Sequence, residues 1–151
     1  MANTYTKLYV HCMFHVKTTS IAIRKQDISN LFAYIATSAR NIGSTFVEVG
    51  GMQDHIHILA TLPKTTTLSD FIRTLKAGSS GWLKKIAPIY KDFSWQSGYG
   101  AFSVSPSLKE KTINYIKFQE KHHSKRSFQE EYKLFLHGYG IEYDETHAFC
   151  D

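Results

Sequence analysis

The sequence predicts an α+β domain in which an antiparallel sheet carries helices, in the order β-α-β-β-α-β followed by two further helices. Three observations lead there. Short segments rich in β-branched and aromatic residues alternate with period two, longer segments repeat apolar residues at helical spacing, and Gly or Pro separates them. The composition suits one globular domain: 151 residues with 42% hydrophobic and 21% charged side chains exclude disorder and collagen-like classes.

The segment Tyr5 to Lys17 carries Leu8, Val10, Cys12, Phe14 and Val16 in rough alternation and reads as a strand. Asp27 stands where a helix N-cap would, ahead of Ile28, Leu31, Phe32, Ile35, Ala36, Ala39 and Ile42, a helical stripe ending at Gly43. Thr45 to Val49 and Asp54 to Leu62 read as two strands joined by a tight hairpin at Gly50-Gly51, and Pro63 closes the second. Leu68, Phe71, Ile72, Leu75, Trp82, Leu83 and Ile86 form the next helix, which stops before Pro88 and is open to a kink at Gly78-Ser-Ser-Gly81. Phe93 to Val104 returns to strand composition, with Gly98 and Gly100 suggesting a bulge or a close approach. A helix then starts through Ser105-Pro106 or a Ser107/Glu110 capping box and runs to about His123. A last helix spans about Ser127 to His137 and ends at Gly138. This is the order of a ferredoxin-like split unit with a C-terminal extension.

Charge and cysteine usage narrow the class. Eighteen bases meet thirteen acids for a net +5. Four of the acids, Glu142, Asp144, Glu145 and Asp151, lie after residue 138, so the eighteen bases and nine acids before it leave a body of +9 and an acidic tail over 139–151. Such a body suits a polyanionic partner. Cys12 and Cys150 form no CxxC pair, which points away from a disulfide framework or a cysteine zinc site and toward a reducing cytoplasm. No apolar run approaches about 18 residues and the first residues lack signal-peptide character, so neither membrane nor export is expected.

Chemistry concentrates in two places. In Asp54-His-Ile-His-Ile-Leu59 strand alternation puts His55 and His57 on one face and Ile56 and Ile58 on the other, so two imidazoles can share a divalent metal. On the helix after Pro106, Tyr115, Gln119 and either His122 or His123 share a polar face, and a Gln amide oxygen one turn from a phenol can complete a metal shell. Basic residues Arg73, Lys76 and Lys84 repeat along one face of the second helix with Lys85 beside them, a stripe suited to phosphate contact. Some of the aromatics, several near Phe93 to Phe102, could stack unpaired bases.

The strings Gly50-Gly-Met-Gln-Asp-His-Ile-His-Ile-Leu59, Trp95-Gln-Ser-Gly-Tyr-Gly-Ala-Phe-Ser-Val104 and Tyr115-Ile-Lys-Phe-Gln-Glu-Lys-His-His123 resemble the single-tyrosine transposases of small bacterial insertion sequences. These are the IS200/IS605 group of the HUH endonuclease superfamily. The resemblance spans Tyr5 to about Asp144 and implies a ferredoxin-like HUH fold over a single domain, 1–151. It implies that Tyr115 is the nucleophile and that His55, His57 and Gln119 hold Mg²⁺ or Mn²⁺. It further implies single-stranded DNA with subterminal hairpins as substrate, a homodimer, and no small-molecule cofactor. The other reading of the same residues is a non-catalytic hairpin-binding protein of this fold.

Overall fold

The computed structural model describes residues 3–119, 126–145 and 148. Four strands form one antiparallel sheet: β1 (Tyr9–His15), β2 (Val47–Gly51), β3 (His55–Thr61) and β4 (Gly100–Val104), in spatial order β2-β3-β1-β4. Helices α1 (Ile28–Ile42) and α2 (Leu68–Ile86) follow β1 and β3, and α3 (Lys109–Lys117) and α4 (Phe128–Gly138) follow β4. This is the ferredoxin-like α+β arrangement that the element order predicts.

Strand alternation sorts the central strands into two faces. Cys12, Phe14, Ile56, Ile58 and Ala60 point toward α1 and α2, where Leu31, Ile35, Ala39, Phe71, Ile72, Leu75 and Leu83 close the main core. The opposite face carries Tyr9 and Leu59 against Ile113 and Ile116 of α3, and Met13 and Phe102 against Phe128, Tyr132 and Leu136 of α4. Between these two apolar patches lie His11, His15, His55 and His57, all buried. The polar site is therefore roofed by two separate helices rather than left open on the sheet.

Several local expectations change in the structure. Asp27 occupies the N-cap position without capping: its carboxylate accepts from Arg24 Nε at 2.8 Å and from the Tyr90 hydroxyl instead. Those partners satisfy it better than a lone amide could. The Gly50-Gly51 pair belongs to β2 rather than to the turn, which is formed by Met52 to Asp54 and closed by Met52 N–H donating to His55 O at 3.0 Å. Gly50 is required by close approach, since a Cβ there would lie 2.4 Å from the Ile116 carbonyl oxygen of α3. Helix α2 runs unbroken through Gly78 to Gly81, because Ser79 is buried and joins Leu75 O to Trp95 Nε1 by hydrogen bonds of 2.7 and 3.0 Å. The fourth strand is shorter than read: Phe93 to Tyr99 is irregular apart from a bridge between Val16 and Trp95. Gly100 is small because the Tyr132 hydroxyl and Met13 press on it. Ser105-Pro106 starts the next helical segment as expected, with Pro106 in first position of a 3₁₀ turn, Pro106–Leu108, that leads into α3; the Ser107/Glu110 capping box does not form, and α3 ends at Lys117 rather than near His123. Ser127 does cap α4, accepting from Glu130 N–H at 3.2 Å.

Candidate functional site

His55 and His57 sit at the start of β3: the ladder to β1 holds both, the ladder to β2 holds His57, and Met52 N–H donates to His55 O at 3.0 Å. Both rings are fully buried. His55 Nδ1 lies 2.7 Å from the Asp54 carboxylate, and its Nε2 lies 3.1 Å from Gln119 Oε1. The Gln119 amide is oriented by its Nε2 donating to Tyr115 O at 3.1 Å, which leaves Oε1 facing the histidine. A proton on Nδ1 facing Asp54 would leave the Nε2 electron pair of His55 turned toward another acceptor oxygen. Two such donors face to face are the arrangement a cation fits.

His57 adds a second arm. Its Nε2 is 2.8 Å from Glu131 Oε1 on α4, and the same oxygen is 4.0 Å from His55 Nε2. One ligand atom each from His55, His57 and Glu131 falls within 4.8 Å of the others. The HxH pair and Gln119 thus come together as the sequence predicts, and α4 supplies a carboxylate that the sequence reading passed over. Burying a carboxylate costs several kcal/mol. Phe128, Tyr132 and Leu136, each worth about 1.5–3 kcal/mol on burial, together with the His57 bond, offset that cost and keep α4 docked. A signal was available: Glu131 lies on the stripe of Phe128, Tyr132 and Leu136, a charged residue on an apolar helix face.

Tyr115 completes the cluster. Its ring stands edge-on to His57 at 5.6 Å and to Phe135 at 5.8 Å, and its hydroxyl hydrogen-bonds Glu131 and Gln119. Burial first, then the bond to Glu131 and its charge, push the phenol above its ordinary range. Burial alone would raise the Glu131 carboxyl, but its bond to His57, attraction to that ring and the Tyr115 hydroxyl hold it down to about 2. Burial and the neighbouring His57 draw His11 down to about 3, so that ring is neutral across the physiological range. Phe128 stacks on His55 with centroids 4.3 Å apart and covers the pair. The His122 and His123 alternatives lie outside the described residues.

A depressed carboxyl contributes stability that is complete above its ordinary value of 4.5 and is lost as pH falls toward about 2. The melting temperature of the metal-free wild type should therefore fall more steeply between pH 4.5 and pH 2 than that of Glu131→Gln. Parallel curves in a thermal-melt series would contradict this.

The basic stripe lies apart from this cluster. α2 packs on the other face of the sheet, so its outward residues Lys84 and Lys85 are exposed on the far side of the molecule from Tyr115. Arg73 is exposed and paired with Asp70 at 2.6 Å. Lys76 turns inward: its ammonium donates to Gln96 O at 2.8 Å and to Gly98 O, lies over the Phe14 ring, and is lowered by burial to about 8. It secures the irregular segment before β4. Among the described residues no helix is long and apolar enough to cross a membrane.

Known structures share this arrangement. The crystal structure of a candidate transposase from Deinococcus radiodurans R1 matches with a TM-score of 0.60 at 20% identity, over 79% of this chain and 95% of that one. A REP-associated tyrosine transposase bound to a REP hairpin matches with a TM-score of 0.59 at 15% identity, over 82% of this chain and 73% of that one. At such identities the likeness establishes the fold. Comparison with curated proteins gave no match. The sequence profile of the family described as "Transposase IS200 like" matches residues 4–119, which include β1 through β4, the HxH pair, Tyr115 and Gln119. The chain therefore belongs to the IS200-like transposase family.

Proposed function

We propose that this protein cleaves and rejoins single-stranded DNA through a covalent link to Tyr115, with a divalent metal, Mg²⁺ or Mn²⁺, at His55, His57 and Gln119. The observation that carries the reading is convergence: the buried imidazoles, Gln119 amide and Glu131 carboxylate meet the half-buried Tyr115 phenol in one cluster. The donor set fits the metal, since nitrogen and oxygen donors turn toward one another with the outer nitrogen of each ring already engaged. When bound, the ion would neutralise the non-bridging phosphate oxygens and stabilise the leaving oxygen.

The chain's own groups do the rest. The Tyr115 oxygen attacks phosphorus, the bond from phosphorus to the 3′-oxygen breaks, and a 5′-phosphotyrosine and a 3′-hydroxyl result. Glu131 accepts the Tyr115 hydrogen bond and is the group placed to receive the phenol proton. The sequence left the proton's destination open. Rejoining reverses the step with a 3′-hydroxyl as attacker, so the diester energy is kept in the link. Phe128 over His55 and Phe135 beside Tyr115 limit water around these groups.

Hairpin recognition at the ends of a mobile element is supported by the hairpin-bound relative, and the exposed bases Arg73, Lys84 and Lys85 are the surface we assign to phosphate contact, in a cytoplasmic homodimer. The contact of Tyr115 with His57 of its own chain, at 5.6 Å between ring centroids, supports reading the two as parts of one site. The test is incubation with hairpin-bearing single-stranded DNA and Mn²⁺. Wild type should form a denaturation-resistant adduct and Tyr115→Phe none; an adduct with Tyr115→Phe would refute the assignment. Hairpin binding without cleavage by wild type would favour a non-catalytic binding protein.

A further inference from the structure

His11 has no role in the reaction as described above, yet it is built into the site. It lies in the middle of β1, between Leu59 of β3 and Phe102 of β4 in register. Its residue is 2% exposed, and its ring is confined by Phe135 at 5.0 Å and Tyr115 at 6.2 Å. Its Nε2 lies 2.8 Å from His57 Nδ1. A ring so enclosed cannot turn away without displacing the aromatic residues around it.

The bond constrains which nitrogen of His57 is free. A neutral imidazole carries one proton, and it binds a metal through the bare nitrogen. At Nε2 the Glu131 carboxylate, 2.8 Å away, can only accept and so favours a proton there. That proton would occupy the electron pair that a metal needs. At Nδ1 the competing acceptor is His11 Nε2. With His11 bare at that nitrogen, His57 can keep its proton on Nδ1 and turn the Nε2 pair toward His55 and Gln119. Without an acceptor at Nδ1, the carboxylate prevails.

We infer that His11 is a positioning residue for the metal site: it accepts the Nδ1 proton of His57 and so holds that ring in the tautomer whose Nε2 binds the ion. The inference rests on the reading of His55 and His57 as metal ligands. It also gives the two ligands different supports. His55 leans on Asp54, a carboxylate whose side chain is 66% exposed, whereas fully buried His57 leans on an uncharged ring that adds no second buried charge.

The test uses the full chain and two measurements. Mn²⁺ titration followed by electron paramagnetic resonance should show His11→Phe binding roughly 10–100-fold more weakly than wild type, the usual consequence of losing a partner behind a ligand. His11→Gln, whose side-chain oxygen can accept the same proton, should recover most of the loss. Nitrogen-15 spectra of Mg²⁺-saturated wild type should show His57 protonated at Nδ1, a readout that stands even if a variant fails to fold. Unchanged Mn²⁺ affinity in a folded His11→Phe, a His11→Gln as weak as the phenylalanine variant, or a proton on His57 Nε2 in the loaded protein would overturn the inference alone. A wild type that binds no Mn²⁺ would take the metal reading down with it.

Discussion

His55→Ala is expected to reduce DNA cleavage by on the order of 10³-fold, the equivalent of several kcal/mol of lost charge stabilisation, while hairpin binding stays within about twofold. On the proposed assignment the two activities should separate, because the HxH pair and the exposed bases assigned to phosphate contact lie on opposite faces of the sheet. His55 lies under Phe128 on the face of α3 and α4, and the exposed bases Lys84 and Lys85 project from α2 on the other. His55 is a cleaner target than His57. Its removal leaves Asp54 in water and Gln119 with its bond to Tyr115 O, whereas removing His57 would take from the buried Glu131 carboxylate its 2.8 Å partner. Rates of strand cleavage and gel-shift affinities on the same hairpin substrate measure the two effects. Equal loss of both would mark His55 as a residue of the fold.

The second large effect concerns Gly50. A methyl group there meets the Ile116 carbonyl oxygen at 2.4 Å and the Ile116 side chain at 2.6 Å. Ile116 follows Tyr115 directly, so the clash is resolved only if α3 lifts from β2 and carries the nucleophile with it. Gly50→Ala should cost about 1–3 kcal/mol, a melting point lower by on the order of 5 °C, and adduct formation should fall further than stability alone explains. Gly81→Ala is the control. A Cβ at Gly81 meets nothing within 4 Å, so the interior of α2 should gain about 0.5–1 kcal/mol. Calorimetry on both variants, paired with adduct yields, decides the matter. A Gly50→Ala protein as active as wild type would mean that the docking of α3 is not what places Tyr115.

These residues also show where the sequence was readable. The alternation of β3 put His55 and His57 on one face without ambiguity, because a strand has only two faces and Ile56 and Ile58 claim one of them. The stripe of α1 was equally plain. Gly50 was harder, since glycine serves both turns and close contacts and only the position of Ile116, far along the chain, decides between them. Asp27 misled for a similar reason: the carboxylate that would cap a helix found Arg24 and Tyr90, and Tyr90 is brought there by the fold. Lys76 belongs to the α2 stripe by spacing, but a long side chain can turn inward, and the carbonyls of Gln96 and Gly98 draw it in.

The candidate site divides along the same line. Tyr115 and Gln119 were legible because their spacing is that of one helical turn, which the Gln119 Nε2 bond to Tyr115 O preserves past the end of α3 at Lys117, and the HxH pair because one strand holds both. Glu131 and His11 reach the site from α4 and β1 through packing, at sequence separations of 74 and 46 from His57. Local periodicity carries no record of such distances. What it does carry is a misfit, a carboxylate on an apolar helix face and a histidine on the HxH side of a core strand, and both misfits mark the site.

The central claim is that Tyr115 is the covalent nucleophile among nine tyrosines. Wild-type protein should be reacted with hairpin-bearing single-stranded DNA and Mn²⁺, digested with nuclease and trypsin, and its peptides sequenced by mass spectrometry. A 5′-phosphonucleotide should appear on the peptide Thr112–Lys117 and nowhere else. The same modification on a peptide bearing Tyr132 or Tyr99, or cleaved DNA with no modified peptide at all, would contradict it.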